Sequence, residues 1–94
     1  MTKDLTEILK EIREKVTDDS DLMWTSFETA DELRKEIDKL VLRLNSNDKN
    51  VLKDIYVHFL PTYTFQEHSM QNGWSEEYMK FAEQFDRIYK SQKL

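Results

Sequence analysis

Apolar residues recur along this chain at intervals of three and four, and each run is bounded by residues that stop helices. Between residues 4 and 16, Leu5, Ile8, Leu9, Ile12 and Val16 fall at i, i+3, i+4, i+7 and i+11. At about 100° per residue they form one stripe of an amphipathic helix. On its polar faces, Lys10 to Glu14 and Glu11 to Lys15 have the i, i+4 spacing of helical ion pairs. Thr17-Asp18-Asp19-Ser20-Asp21 follows, and its short polar side chains compete for backbone hydrogen bonds, so a loop is expected there.

A second helix is expected over residues 29–44. Thr29-Ala30-Asp31-Glu32 has the capping-box spacing, and Ala30, Leu33, Ile37, Leu40, Val41 and Leu44 share a face. Asn45-Ser46-Asn47-Asp48 ends it, because Asn tolerates the left-handed backbone that closes helices, and Asp48 or Asn47 is expected to cap the next one. Residues 49–60 form the third helix. Val51, Leu52, Ile55, Tyr56, Phe59 and Leu60 cover so much of its circumference that it reads as a central helix, ended by Pro61.

Thr64-Phe65-Gln66-Glu67 repeats the capping-box pattern and Asn72-Gly73 closes it, which predicts a short helix over residues 65–71. Ser75 then reads as the N-cap of the last helix, flanked by Trp74 and Met79 as a hydrophobic staple. Tyr78, Phe81, Ala82, Phe85, Ile88 and Tyr89 form that helix's apolar stripe.

Composition agrees with this pattern. The chain has one Gly and one Pro in 94 residues, too few turn formers for an antiparallel β fold. It has no Cys, so disulfide scaffolds, zinc-thiolate sites and cysteine nucleophiles are excluded. Uninterrupted apolar runs such as Leu22-Met23-Trp24 and Leu40-Val41-Leu42 fall far short of the roughly 20 residues that span a bilayer, so neither a membrane helix nor a signal peptide is expected. The expected architecture is a single all-α domain, residues 1–94, a compact bundle of four main helices and one short helix in the cytoplasm.

Candidate chemistry narrows quickly. Glu67-His68-Ser69 concentrates triad residue types, but adjacent helical residues point about 100° apart and cannot face one another. His58 and His68 are ten residues apart across Pro61, not at the i+3 or i+4 spacing of helical metal ligands. A metal site from His58, His68 and Glu67 requires the fold to bring both segments together. Asp18, Asp19 and Asp21 do not begin an EF-hand, because the sixth and twelfth positions counted from Asp19 are Trp24 and Ala30 instead of Gly and Glu. Gly73 is the only glycine, so no Gly-rich loop can cradle a phosphate. No catalytic residue, metal or cofactor is expected.

Charge is the feature left to interpret. The formal net charge is −5, and Asp18, Asp19, Asp21, Glu28, Asp31 and Glu32 lie together in residues 17–32 with no Lys or Arg between them. The same stretch holds Leu22, Met23, Trp24 and Phe27. Carboxylates around large apolar residues suit a basic protein partner, the charges steering encounter and Trp24 serving as anchor. Alternatively, Trp24 and Phe27 pin the loop to the core and the acids solvate it. A second candidate surface holds Tyr63, Phe65 and Trp74, which are either core plugs or a contact for a homodimeric regulatory or assembly subunit. Lys35, Lys39 and Arg43 form a basic stripe on the second helix, but the net charge and the lack of an Arg cluster argue against nucleic acid.

The leading expectation is therefore a non-catalytic protein-interaction domain, monomeric or homodimeric. In charge and size it is analogous to immunity or antitoxin proteins that inhibit a basic, nuclease-like partner. Asp18, Asp19, Asp21, Trp24, Glu28 and Asp31 are its primary contact residues.

Overall fold

A computed structural model describes residues 2–23, 25, 27–60 and 63–93 of the chain. They fold into five helices: α1 (Thr2–Lys15), α2 (Ala30–Asn45), α3 (Val51–His58), α4 (Thr64–Asn72) and α5 (Ser75–Lys93). The all-α bundle read from the sequence is the observed architecture. The Cα radius of gyration, 12.5 Å, is close to the roughly 12 Å of a compact chain of this length.

The stripe of α1 meets that of α2 in the middle of the core, where Leu9, Ile12, Leu33 and Ile37 are fully buried. Arg13 forks onto Asp38 at 2.7 and 3.1 Å, and Arg34 reaches the Val16 carbonyl at 3.0 Å, so the two helices run antiparallel. α1 also packs on α5, α2 on α3, and α4 on α5. Phe81, Phe85 and Tyr78 close the core from the α5 side.

Local signals account for most of the ends. Thr29 Oγ1 accepts from the Glu32 amide at 3.1 Å while Glu32 Oε1 accepts from the Thr29 amide at 3.2 Å, so both halves of the α2 capping box form. At the other end, Asn47 is left-handed with φ 59°. The Asp48 amide then returns to the Arg43 carbonyl at 3.1 Å and the Asn47 amide to Leu44 at 3.2 Å, the bond pair of a Schellman stop. Gly73, φ 80°, does the same for α4, with the Trp74 amide on the Ser69 carbonyl at 3.0 Å.

Four expectations fail. Asp48 does not cap α3: one of its oxygens accepts from the Asn50 amide and the other from Arg43 Nε, and the N-cap is Asn50. Thr64 does not cap α4; it is the first residue of the helix, and its buried hydroxyl bonds His58 instead. Trp74 packs on Tyr78 and Phe81 while Met79 stays exposed, so the staple does not form. α3 is an edge helix and not a central one, with Val51 and Ile55 buried and Tyr56 and Val57 open to solvent.

Ile37→Ala should cost about 2–5 kcal/mol in urea unfolding, because it empties the fully buried α1–α2 seam. Leu42→Ala, at a side chain 66% exposed, should change stability by less than about 0.5 kcal/mol. Equal losses would mean that the seam is misplaced.

Candidate functional site

Residues 16–29 form a long connection for a helical bundle, and three clamps hold it in place. At its start, Arg34 ties the Val16 carbonyl and the Asp18 carboxylate, at 3.0 and 2.7 Å, to α2. In its middle, the Asn72 side chain accepts from the Asp21 amide at 2.8 Å and donates to the Asp21 carbonyl at 2.9 Å, joining positions 51 residues apart. At its end is the Thr29–Glu32 capping box. Leu22 and Phe27 pack against the core, whereas Met23 is 74% exposed.

The acidic face is smaller than the run of carboxylates implied. Arg34 and Lys35, one turn into α2, fold back on it: Arg34 pairs with Asp18, and Lys35 with Asp31 at 3.0 Å. The Lys35 ammonium, with Arg34 beyond it, holds the Asp31 carboxyl below the usual carboxylate range. Glu32 is engaged as the cap, and Asp21 Oδ1 accepts from the Met23 amide at 3.0 Å. Asp19 and Glu28 are exposed and form no ion pair among the described residues. Trp24, the expected anchor, lies outside the described residues.

The second candidate surface resolves into core and edge. Phe65 is fully buried and Trp74 is 5% exposed, so both are plugs and neither is open to a partner; Tyr63, 45% exposed, remains accessible. The basic stripe on α2 is broken up as well. Lys35 is held by Asp31, and Arg43 is bridged by Asp48 and Asp54, each at 2.7 Å, which keeps the guanidinium charged and lowers the Asp48 carboxyl pKa.

Both histidines serve the interior. His58 Nε2 lies 3.3 Å from Glu36 Oε2 and its Nδ1 3.0 Å from Thr64 Oγ1, linking α2, α3 and α4. Sequence reasoning missed this set because its members are 22 and six residues apart on three elements. It has the order of a hydroxyl–imidazole–carboxylate triad, but the Thr64 side chain is only 3% exposed, so a substrate carbonyl cannot approach the hydroxyl. His68 is wholly buried and its Nδ1 accepts from Trp74 Nε1 at 2.9 Å. With both nitrogens of His58 and one of His68 engaged, the two rings do not make a metal centre, and no cluster of three or more metal-binding side chains occurs among the described residues.

Comparison with known proteins adds no name to this arrangement: no family model, curated protein or solved structure matches the chain. No helix among the described residues is long and apolar enough to cross a membrane.

His68 carries a pH prediction. The Trp indole only donates, so Nδ1 must be unprotonated and the neutral ring bears its hydrogen on Nε2, which is buried without a partner. A second proton would place an N–H against the Trp74 N–H, and burial already lowers the pKa of the ring. The folded value thus lies below the ordinary one of about 6.5, and the unfolded chain binds the proton more readily. Stability is full above about pH 6.5 and is lost as the pH falls from there through the lowered folded value, at up to about 1.4 kcal/mol per pH unit. Urea unfolding between about pH 8 and pH 5 should show this slope in the native chain and a shallower one in His68→Asn, which keeps an acceptor for Trp74. His58 is present in both chains, so parallel curves would exclude His68 as the cause.

Proposed function

We propose that this chain is a non-catalytic protein-interaction domain that binds a basic macromolecular partner in the cytoplasm, as a small acidic inhibitor of a nuclease-like protein does. The observation that carries the reading is the set of clamps on the described residues of the 16–29 connection, at Val16, Asp18, Asp21 and Thr29, with Met23 74% exposed and the Asp19 and Glu28 carboxylates exposed in the same stretch. A segment fixed before encounter loses little conformational freedom on docking, so its contacts count more fully toward affinity. The Asp19 and Glu28 carboxylates steer a positive surface toward it, and the exposed thioether offers an adaptable apolar contact.

A reading as an enzyme would need a reachable nucleophile, and the best-ordered candidate, Thr64, is closed off by the fold. A homodimer through the 63–74 aromatics would have only Tyr63 to offer, since Phe65 and Trp74 are interior.

Retention of proteins from an extract of the native host tests the proposal. The unmodified chain should hold a basic protein at low salt and release it as salt rises. Asp19→Lys combined with Glu28→Lys should weaken retention by about tenfold or more, with unchanged circular dichroism. Retention indifferent to both salt and charge reversal would overturn the reading.

A further inference from the structure

One flank of α5 is open to solvent, and it differs in kind from the loop face. Met79, 59% exposed, stands between two clefts. On the α3 side, a cleft of about 270 Å³ is lined by Tyr56, Phe59, Met79 and Phe85, with Glu83 and Asp86 at its wall. On the α4 side, a cleft of about 300 Å³ is lined by Met70, Tyr78 and Met79, with Glu76 at its wall. Met79 lines both, so the two clefts adjoin at that side chain as the two halves of a channel along α5. Met70 is 60% and Tyr56 40% exposed, so three large apolar side chains face solvent along it.

Two properties of the channel specify an occupant. The first is length: from position 75 to position 86 a helix rises about 16 Å, or three turns, so the channel matches an apolar stripe with residues at i, i+3 or i+4, and i+7. The second is charge. Every charged residue lining the two clefts is acidic, and Lys90 meets one of them, Asp86, at 3.1 Å. Methionine side chains adapt to varied apolar shapes and suit helix recognition more than the fixed outline of a small molecule. Phosphates of nucleic acid or anionic lipid would be repelled by the carboxylates, and a second copy of the chain would bring acids against acids.

We propose that this channel binds an amphipathic helix of a basic partner, its apolar side chains entering the clefts on either side of Met79 and its Lys or Arg residues meeting Glu76 and Glu83. The site shares no residue with the 16–29 loop, so either can fail alone.

The chain has four methionines, Met1, Met23, Met70 and Met79, so methyl-labelled methionine reads the loop and the channel separately. The probe is a synthetic helix of about 14 residues, with Leu on one face at i, i+3, i+4 and i+7 and Lys elsewhere. Its control is the same composition reordered to scatter Leu around the helix. The Met70 and Met79 signals should shift to saturation with the amphipathic peptide while Met23 stays still, and the reordered peptide should bind about tenfold more weakly or worse. Glu76→Lys with Glu83→Lys should weaken binding by a similar factor, circular dichroism confirming that these exposed changes leave the fold intact. Asp19→Lys with Glu28→Lys should leave this titration unchanged, whatever it does to the proposed loop function.

Absence of shifts, shifts at Met23 alone, or equal binding of both peptides would overturn the assignment. So would concentration-dependent shifts at Met70 and Met79 without peptide, which would make a second copy the occupant.

Discussion

The stack of Phe59 on Phe85, ring centroids 4.6 Å apart and planes 7° from parallel, ties the short edge helix of this fold to its longest one. α3 has eight residues and α4 nine, lengths at which backbone hydrogen bonds alone do not sustain a helix in water. Side chains hold them. Phe65 meets Phe59 edge-on at 5.0 Å, Tyr56 stacks on Tyr89 at 4.8 Å, and the Tyr78 hydroxyl donates to the Phe59 carbonyl at 3.1 Å, where burial raises the phenol's pKa. These rings span from α3 to α5 and leave a trough above them, which is the channel beside Met79.

The polar chemistry of the chain is largely engaged in the same task. His58 joins α2 to the start of α4, His68 fixes the turn from α4 into α5 through Trp74, Asn72 holds the long connection, and Arg43 fastens α2 to the turn before α3. A side chain engaged inside the molecule, or shut away from solvent as His68 is, does not meet a substrate or an ion from outside. The surface keeps charged side chains of both signs, among them Asp19, Glu28, Lys39 and Lys53, together with the exposed Met23, Met70 and Met79. The two proposed binding faces draw on different parts of the fold, one on a loop tied to α2 and α4 and one on a helix flank.

Charge shows how far sequence position can mislead. Six acids in residues 17–32 look uncompensated in the linear chain, yet Arg34 and Lys35 are a single turn beyond the segment and close over its ends. In the basic stripe, Lys35 and Arg43 are likewise taken up by carboxylates, and Lys39 stays exposed. Met79 was misplaced by its spacing. Its spacing from Trp74 reads as a hydrophobic staple, whereas the side chain stands 59% exposed. No sequence signal showed that Tyr56 and Met70 would stand beside it.

The sequence by itself determined the five helices, the buried stripes of α1, α2 and α5, the capping box at Thr29 and the left-handed stops at Asn47 and Gly73. These depend on contacts within about five residues, where spacing and backbone preference decide. Tertiary structure alone decided that the Thr64 hydroxyl serves His58 and not its own helix end, that Asp21 meets Asn72 across 51 residues, that Phe65 and Trp74 are interior, and which carboxylates keep their charge open to solvent. The reason is that a polar or aromatic side chain settles with the partner that packing brings within reach, and that partner comes from a different part of the chain.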